Sequence, residues 1–145
     1  MQKIDFSDVL NKEMKENPCD ELLNELSQEA ELVKAVEAKN FIKIAELFKK
    51  NENLRKDINY PYVSHKNKTI LHMAVEYYAS AKGKSARECK VGVRVVQSLI
   101  GWGADVLSED DDKKMPIFYA FKCKNKSLIL LLQRKLGEKL KLYEI

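Results

Sequence analysis

A chain of 145 residues with 45% apolar and 33% charged side chains has enough apolar material for one packed domain and a well-solvated surface. The 26 basic and 22 acidic residues leave a formal net charge of +4, too small and too dispersed to demand a nucleic-acid partner. Five glycines and three prolines are too few for a turn-rich β fold, and Cys19, Cys89 and Cys123 are odd in number and lack a CxxC or Cys/His metal spacing.

The opening stretch MQKIDFSDVLNKEM is charged throughout and has no apolar h-region, so it does not read as a signal peptide. The longest apolar run, LILLL at 128–132, is followed at once by Gln133 and Arg134 and is far too short to span a membrane. The expectation is a soluble cytoplasmic protein with free thiols, or one exported by a route that leaves no N-terminal trace.

In chain order, residues 4–15 predict a short amphipathic helix on Ile4, Val9, Leu10 and Met14. Asn17 and Pro18 mark the start of a second helix, with Leu22, Leu23 and Leu26 on one face. Ser27 either caps a further helix or lies inside one long helix that runs through Ala38. ELVKAVEAKN at 31–40 carries the small residues Ala35 and Ala38, and FIKIAELFKKN at 41–51 places Ile44, Leu47 and Phe48 on one stripe. A polar loop leads to TILHMAVEYY, where Leu71, Ala74, Val75 and Tyr78 recur at i, i+3, i+4 and i+7. After the insert 79–91, VGVRVVQSLIGWGADV gives a second apolar helix on Val95, Val96, Leu99 and Ile100. LSEDDDKK is a polar loop, and MPIFYAFKCKN followed by SLILLLQRKLG repeats the helix pair.

The order helix, short connection, helix, long polar loop thus occurs three times. Ala74 and Ala120 hold equivalent places 46 residues apart, and removing an insert of about 13 residues leaves a period of about 33. Helices with such narrow apolar faces cannot bury them alone and must stack on neighbouring units.

With these residues in view, the sequence resembles ankyrin repeats. That family's unit begins Thr-Pro-Leu-His-x-Ala-Ala and ends Gly-Ala-Asp-Val-Asn. TILHMAVE matches it at Thr69, Leu71, His72 and Ala74, with Ile70 in place of Pro, and GADV is intact at 103–106. MPIFYAF keeps Pro116, Ile117 and Ala120 but loses the Thr and the His; AVEAKNFIKIAELFKKN reads as a degenerate first unit closed by Asp57, Ile58 and Asn59. The resemblance covers roughly residues 30–136 and is strongest in the middle.

The resemblance implies an all-α fold: a short solenoid of about three units at 30–65, 66–111 and 112–145, with residues 1–29 as a helical extension covering one end. It also implies that Thr69 and His72 satisfy backbone and inter-unit hydrogen bonds. The implied function is non-enzymatic binding of another protein through a concave face and its loop tips. On that basis Tyr60, Tyr62, His65 and Lys66 in the first loop are contact candidates, the tyrosines because they bury much area at low entropic cost. Leu107, Glu109, Asp110 and Asp112 are candidates in the second loop, and Glu76, Tyr77, Tyr119 and Lys122 on the short helices. For Tyr77 and Tyr119 the competing reading is packing between units.

The insert carries Lys82, Lys84, Arg87 and Lys90. It reads either as a solvated loop or helix extension, or as a basic contact surface for an acidic partner. No aromatic residue interleaves with these charges, which argues against single-stranded nucleic acid. No catalytic constellation is visible: Gly101 and Gly103 do not form a phosphate-binding loop, His65 and His72 lack an HExxH spacing, and Ser7, Ser64 and Ser108 have no nucleophile context. SEDDDKK at 108–114 lacks the alternating ligands and central Gly of a calcium loop and reads as a solvated acidic tip. No enzyme, cofactor or metal is expected.

Five consecutive apolar residues at 128–132 exceed what one buried face requires. The tail EKLKLYEI is expected to fold back over them through Leu140, Leu142 and Ile145. Otherwise another subunit or a partner covers them, and the state expected is a monomer or a weak homo-oligomer. Alternative roles are a self-associating assembly element and a microbial effector acting on a host protein.

Overall fold

The computed structural model describes residues 18–80 and 82–141, with side chains at 27–80 and 82–140. The expected helix at 4–15, the apolar set Leu22, Leu23 and Leu26, and the tail positions Leu142 and Ile145 lie outside that description. The chain is all-α: α1 (Pro18–Glu37), α2 (Phe41–Lys50), α3 (Ile70–Ala79), α4 (Ala86–Gly101), α5 (Pro116–Lys122) and α6 (Lys126–Lys141). Two short 3-10 turns, Glu52–Asp57 and Val63–His65, lie between α2 and α3. Among the described residues there is no strand, only an isolated antiparallel bridge between Tyr62 and Lys68. Of the two readings open for the N-terminal segment, the single long helix is the one formed, with Pro18 as its first residue, where a missing N–H costs nothing.

Two of the three helix joints use the same device. Lys39 and Lys124 follow α1 and α5 in the left-handed conformation, at φ of 55° and 56°. The Lys39 N–H donates to the Val36 carbonyl at 3.0 Å and the Asn40 N–H to Ala35 at 2.9 Å; Lys124 to Phe121 and Asn125 to Ala120 repeat the pair at 3.0 and 3.1 Å. The asparagines then cap the next helix, Asn40 Oδ1 accepting from the Lys43 N–H and Asn125 Oδ1 from Leu128, each at 3.2 Å. A Lys-Asn pair therefore stops one helix and starts another within two residues. The middle joint is opened by the insert: α3 ends at Ala79, Gly83 turns the chain at φ 76°, and Ser85 caps α4 through the Glu88 N–H.

Packing follows from these joints. Besides the contacts within the pairs α1–α2, α3–α4 and α5–α6, the principal helix contacts are α3 with α5, α2 with α4 and α4 with α6. The stripe Leu71, Ala74, Val75 and Tyr78 is buried, and so are Ile70 and Met73, so α3 shows solvent little beyond Glu76 and Tyr77. Against it lie Val95, Val96 and Leu99 of α4 and Ile117 and Ala120 of α5; Phe41, Ile44, Leu47 and Phe48 of α2 and Leu128 and Leu132 of α6 complete the core. Ala74 and Ala120 have no exposed surface, as small side chains at a close helix crossing require. Gly92 makes the same allowance where α4 meets the Tyr78 ring.

The loops tie to one another. The Asn59 amide donates to the Gly103 carbonyl at 3.0 Å and its oxygen accepts the Asp105 N–H at 2.7 Å. The Asp111 N–H donates to the Lys66 carbonyl at 2.9 Å, and the Asn67 amide to the Asp111 carboxylate at 2.7 Å. At the C-terminal end the expected fold-back starting at Glu138 does not occur among the described residues: α6 continues as helix to Lys141, because nothing in EKLK breaks it. Leu130 and Leu140 stay exposed on α6, while Ile129 and Leu131 are half-buried.

Candidate functional site

The site is built on the buried start of α3. Thr69 caps the helix: its Oγ1 accepts the His72 N–H at 3.4 Å, and the His72 Nδ1 accepts the Thr69 N–H at 3.1 Å in return. The other ring nitrogen, Nε2, donates to the Lys114 carbonyl at 2.8 Å. Both nitrogens of a fully buried imidazole are thus engaged, and the ring has none left for proton transfer. Burial pushes its pKa below the ordinary 6.5, overcoming the opposing pull of the Lys114 carbonyl and Asp110, so the neutral Nε2–H form that the hydrogen bonds need is the one favoured.

Asp110, expected at the contact surface, turns inward, and Tyr119 takes the packed position of its competing reading. Asp110 is 4% exposed and accepts the Asp112 and Lys114 N–H groups at 2.9 and 3.0 Å and the Tyr119 hydroxyl. Burial alone would raise this carboxyl, but the Tyr119 and backbone hydrogen bonds outweigh it and hold it below the usual range; burial and the same carboxylate push the Tyr119 hydroxyl up. The turn at Lys113, φ 62°, folds the acidic tip around one of its own carboxylates. Among the described residues no three His, Cys, Asp or Glu side chains gather as a metal site would require.

Over this layer run two abutting hollows of about 450 and 750 Å³. The outward side of α3 and its approach, Lys68, Glu76 and Ser80, lie in both, with Lys66 of the first loop. The first is closed by Lys39, Ser64, His65, Met73, Tyr77 and Lys84; the second by Asp112, Lys114, Phe118, Tyr119, Lys122 and Cys123. His65, Lys66, Glu76, Tyr77, Lys84, Asp112, Tyr119 and Lys122 therefore share one groove, Tyr119 through its ring and not its hydroxyl.

The remaining candidates lie elsewhere. Tyr60 is exposed and meets Tyr62 edge-on at 5.3 Å, while Tyr62 is half-buried. Burial, with Asp57 and Tyr60 nearby, pushes the Tyr62 hydroxyl up to about 12. Leu107 packs on the core and Glu109 is exposed, outside both hollows. Lys82 stands in the connecting turn, whereas Arg87 and Lys90 belong to α4, the helix extension of the two readings, because Ser85 starts that helix. Of the insert's basic residues Lys84 alone lines the groove, together with Ser80.

Three residues not singled out by the sequence pattern shape this surface. Lys68 bonds Glu76 at 2.6 Å with its Nζ 4.8 Å from the Tyr119 ring centre. Lys114 lies over Phe118 at 4.4 Å, matching Lys84 over Tyr77 at 4.3 Å. Lys68 and Glu76 are eight residues apart and Phe118 sits on a helix of only seven residues, so no i, i+4 rule flags them.

No protein-family model matches the chain, and no curated protein and no solved structure matches it. No helix among the described residues is long and apolar enough to cross a membrane.

Proposed function

We propose that this chain is a non-enzymatic protein-binding module built from ankyrin-like units, and that it holds a segment of a partner protein in the groove along α3. The units are those expected from the sequence, 30–65, 66–111 and 112–145, stacked as a short solenoid. The repeated Lys-Asn joint and the contacts of α3 with α5 and of α2 and α6 with α4 support the stacking. The observation that carries the function is that contact candidates from three separate segments line one groove: His65 and Lys66, Glu76 and Tyr77, and Tyr119 and Lys122. Tyr77, 39% exposed with its ring held by Phe41 and Tyr78, is the anchor best placed to meet a partner.

The test is capture of partners from a cell lysate by the wild-type chain, by Glu76→Lys/Tyr77→Ala, and by Lys49→Glu/Lys50→Glu on α2. A partner retained by the α2 variant and lost by the groove variant supports the proposal; equal capture by all three removes it.

A second reading, self-association through α6, has the exposure of Leu130 and Leu140 in its favour. Light scattering that finds a monomer at all concentrations removes that reading.

A further inference from the structure

Resting on the groove reading above, we propose that the segment taken there is acidic: an extended stretch of partner rich in Asp and Glu. Six lysines line the two hollows, Lys39, Lys66, Lys68, Lys84, Lys114 and Lys122, and only Glu76 and Asp112 oppose them. The hollows therefore carry a local excess of four positive charges. A groove lined by one sign of charge focuses the field and draws the opposite sign.

The two carboxylates are already engaged, Glu76 by Lys68 at 2.6 Å and Asp112 by Lys66 at 3.8 Å. Lys39, Lys84, Lys114 and Lys122 form no ion pair among the described residues. Two of these four are held in place before any ligand arrives. Lys84 lies over Tyr77 and donates to the Ser80 carbonyl at 2.9 Å, and Lys114 lies over Phe118. Lysines already ordered on rings lose less side-chain entropy on pairing with a carboxylate.

The same geometry favours peptide over nucleic acid. The Tyr77, Tyr119 and Phe118 rings each carry an ammonium group, which leaves bases less ring surface on which to stack.

The test is fluorescence anisotropy with a labelled peptide of Glu-Glu-Tyr repeats, its Gln-Gln-Tyr counterpart and a labelled single-stranded oligo-uridine. The expected result is binding of the Glu peptide at least about tenfold tighter than the Gln peptide, weakening as salt is raised. Lys66→Glu/Lys122→Glu should weaken it by about tenfold again, while Lys49→Glu/Lys50→Glu leaves it unchanged, both variants keeping the wild-type melting profile. Equal affinity for the Glu and Gln peptides, or no loss in the groove variant, overturns the proposal. Tighter binding of oligo-uridine, lost in the groove variant, overturns it in favour of nucleic acid. If both peptides fail while lysate capture still depends on Tyr77, the acidic segment falls and the groove stands. If only Lys82→Glu/Arg87→Glu/Lys90→Glu abolishes binding, both fall.

Discussion

The ring of His72 donates from Nε2 to the backbone carbonyl of Lys114, 42 positions further along the chain, at 2.8 Å. The bond joins the start of one short helix to the loop that leads into the next. Replacing His72 by Ala removes it, leaves the Lys114 carbonyl with the Asp110 N–H as its remaining donor, and empties the volume of a fully buried ring. The expected loss is about 3 kcal/mol of unfolding free energy, read as a fall in the urea midpoint at pH 7.5. His72→Gln, which keeps a donor, should lose less.

The same residue sets a pH dependence. The folded chain holds His72 below the ordinary 6.5 because burial opposes its charge, so the unfolded chain binds the proton more tightly. Its contribution is fully present above pH 6.5 and is lost as the pH falls from there through the folded-state value. Asp110, also held down, gives up its contribution only as the pH falls below the ordinary 3.8. Melting temperature should therefore drop between pH 7 and pH 5 in the wild type. In His72→Gln, which cannot titrate, the slope over that window should be measurably shallower.

Asp110 and Tyr119 form a pair whose two halves are unequal. Tyr119→Phe leaves the carboxylate with two backbone donors and should cost about 1 to 2 kcal/mol. Asp110→Ala strands those donors and the Tyr119 hydroxyl together and should cost about 3 kcal/mol or more. Chemical denaturation of both variants checks the order; a Tyr119→Phe loss larger than that of Asp110→Ala contradicts the geometry.

At Gly92 two effects compete. Alanine is better than glycine inside a helix by about 1 kcal/mol. A Cβ there would approach the Tyr78 side chain closer than 3.0 Å, including the Tyr78 Cβ, which is fixed to the α3 backbone and cannot swing away. The clash should win, and Gly92→Ala should destabilise by about 1 to 3 kcal/mol. Unchanged thermal stability would mean that α3 and α4 can part at no cost.

Lys124 stands in the left-handed conformation at φ 56°, where a β-carbon is strained. Lys124→Gly relieves that strain without touching the Asn125 cap and should raise stability by about 0.5 to 1 kcal/mol. A rise in melting temperature of a few degrees is the readout.

Much of this arrangement can be read from the residues. The Thr69 cap, the stripe at Leu71, Ala74, Val75 and Tyr78, and the partner face at Val95, Val96 and Leu99 follow from spacing alone. The start of α4 is legible too: Ser85 stands three residues before Glu88, a helix-start signature, and it places Arg87 and Lys90 on the helix extension open to the insert. Other features leave no local trace. His72 finds its partner in a carbonyl, which any residue type would supply. In the run Glu109 to Asp112 every side chain is acidic, and which one turns inward depends on Tyr119, nine residues on. The groove lysines come from five separate stretches of chain, so composition reports their charge without their gathering.

The helix contacts have a mechanical consequence. Both flanking pairs make their principal contacts with α3 and α4. Loosening residues 69–101 therefore unseats both flanks at once, whereas one flank can loosen while the other keeps its seat.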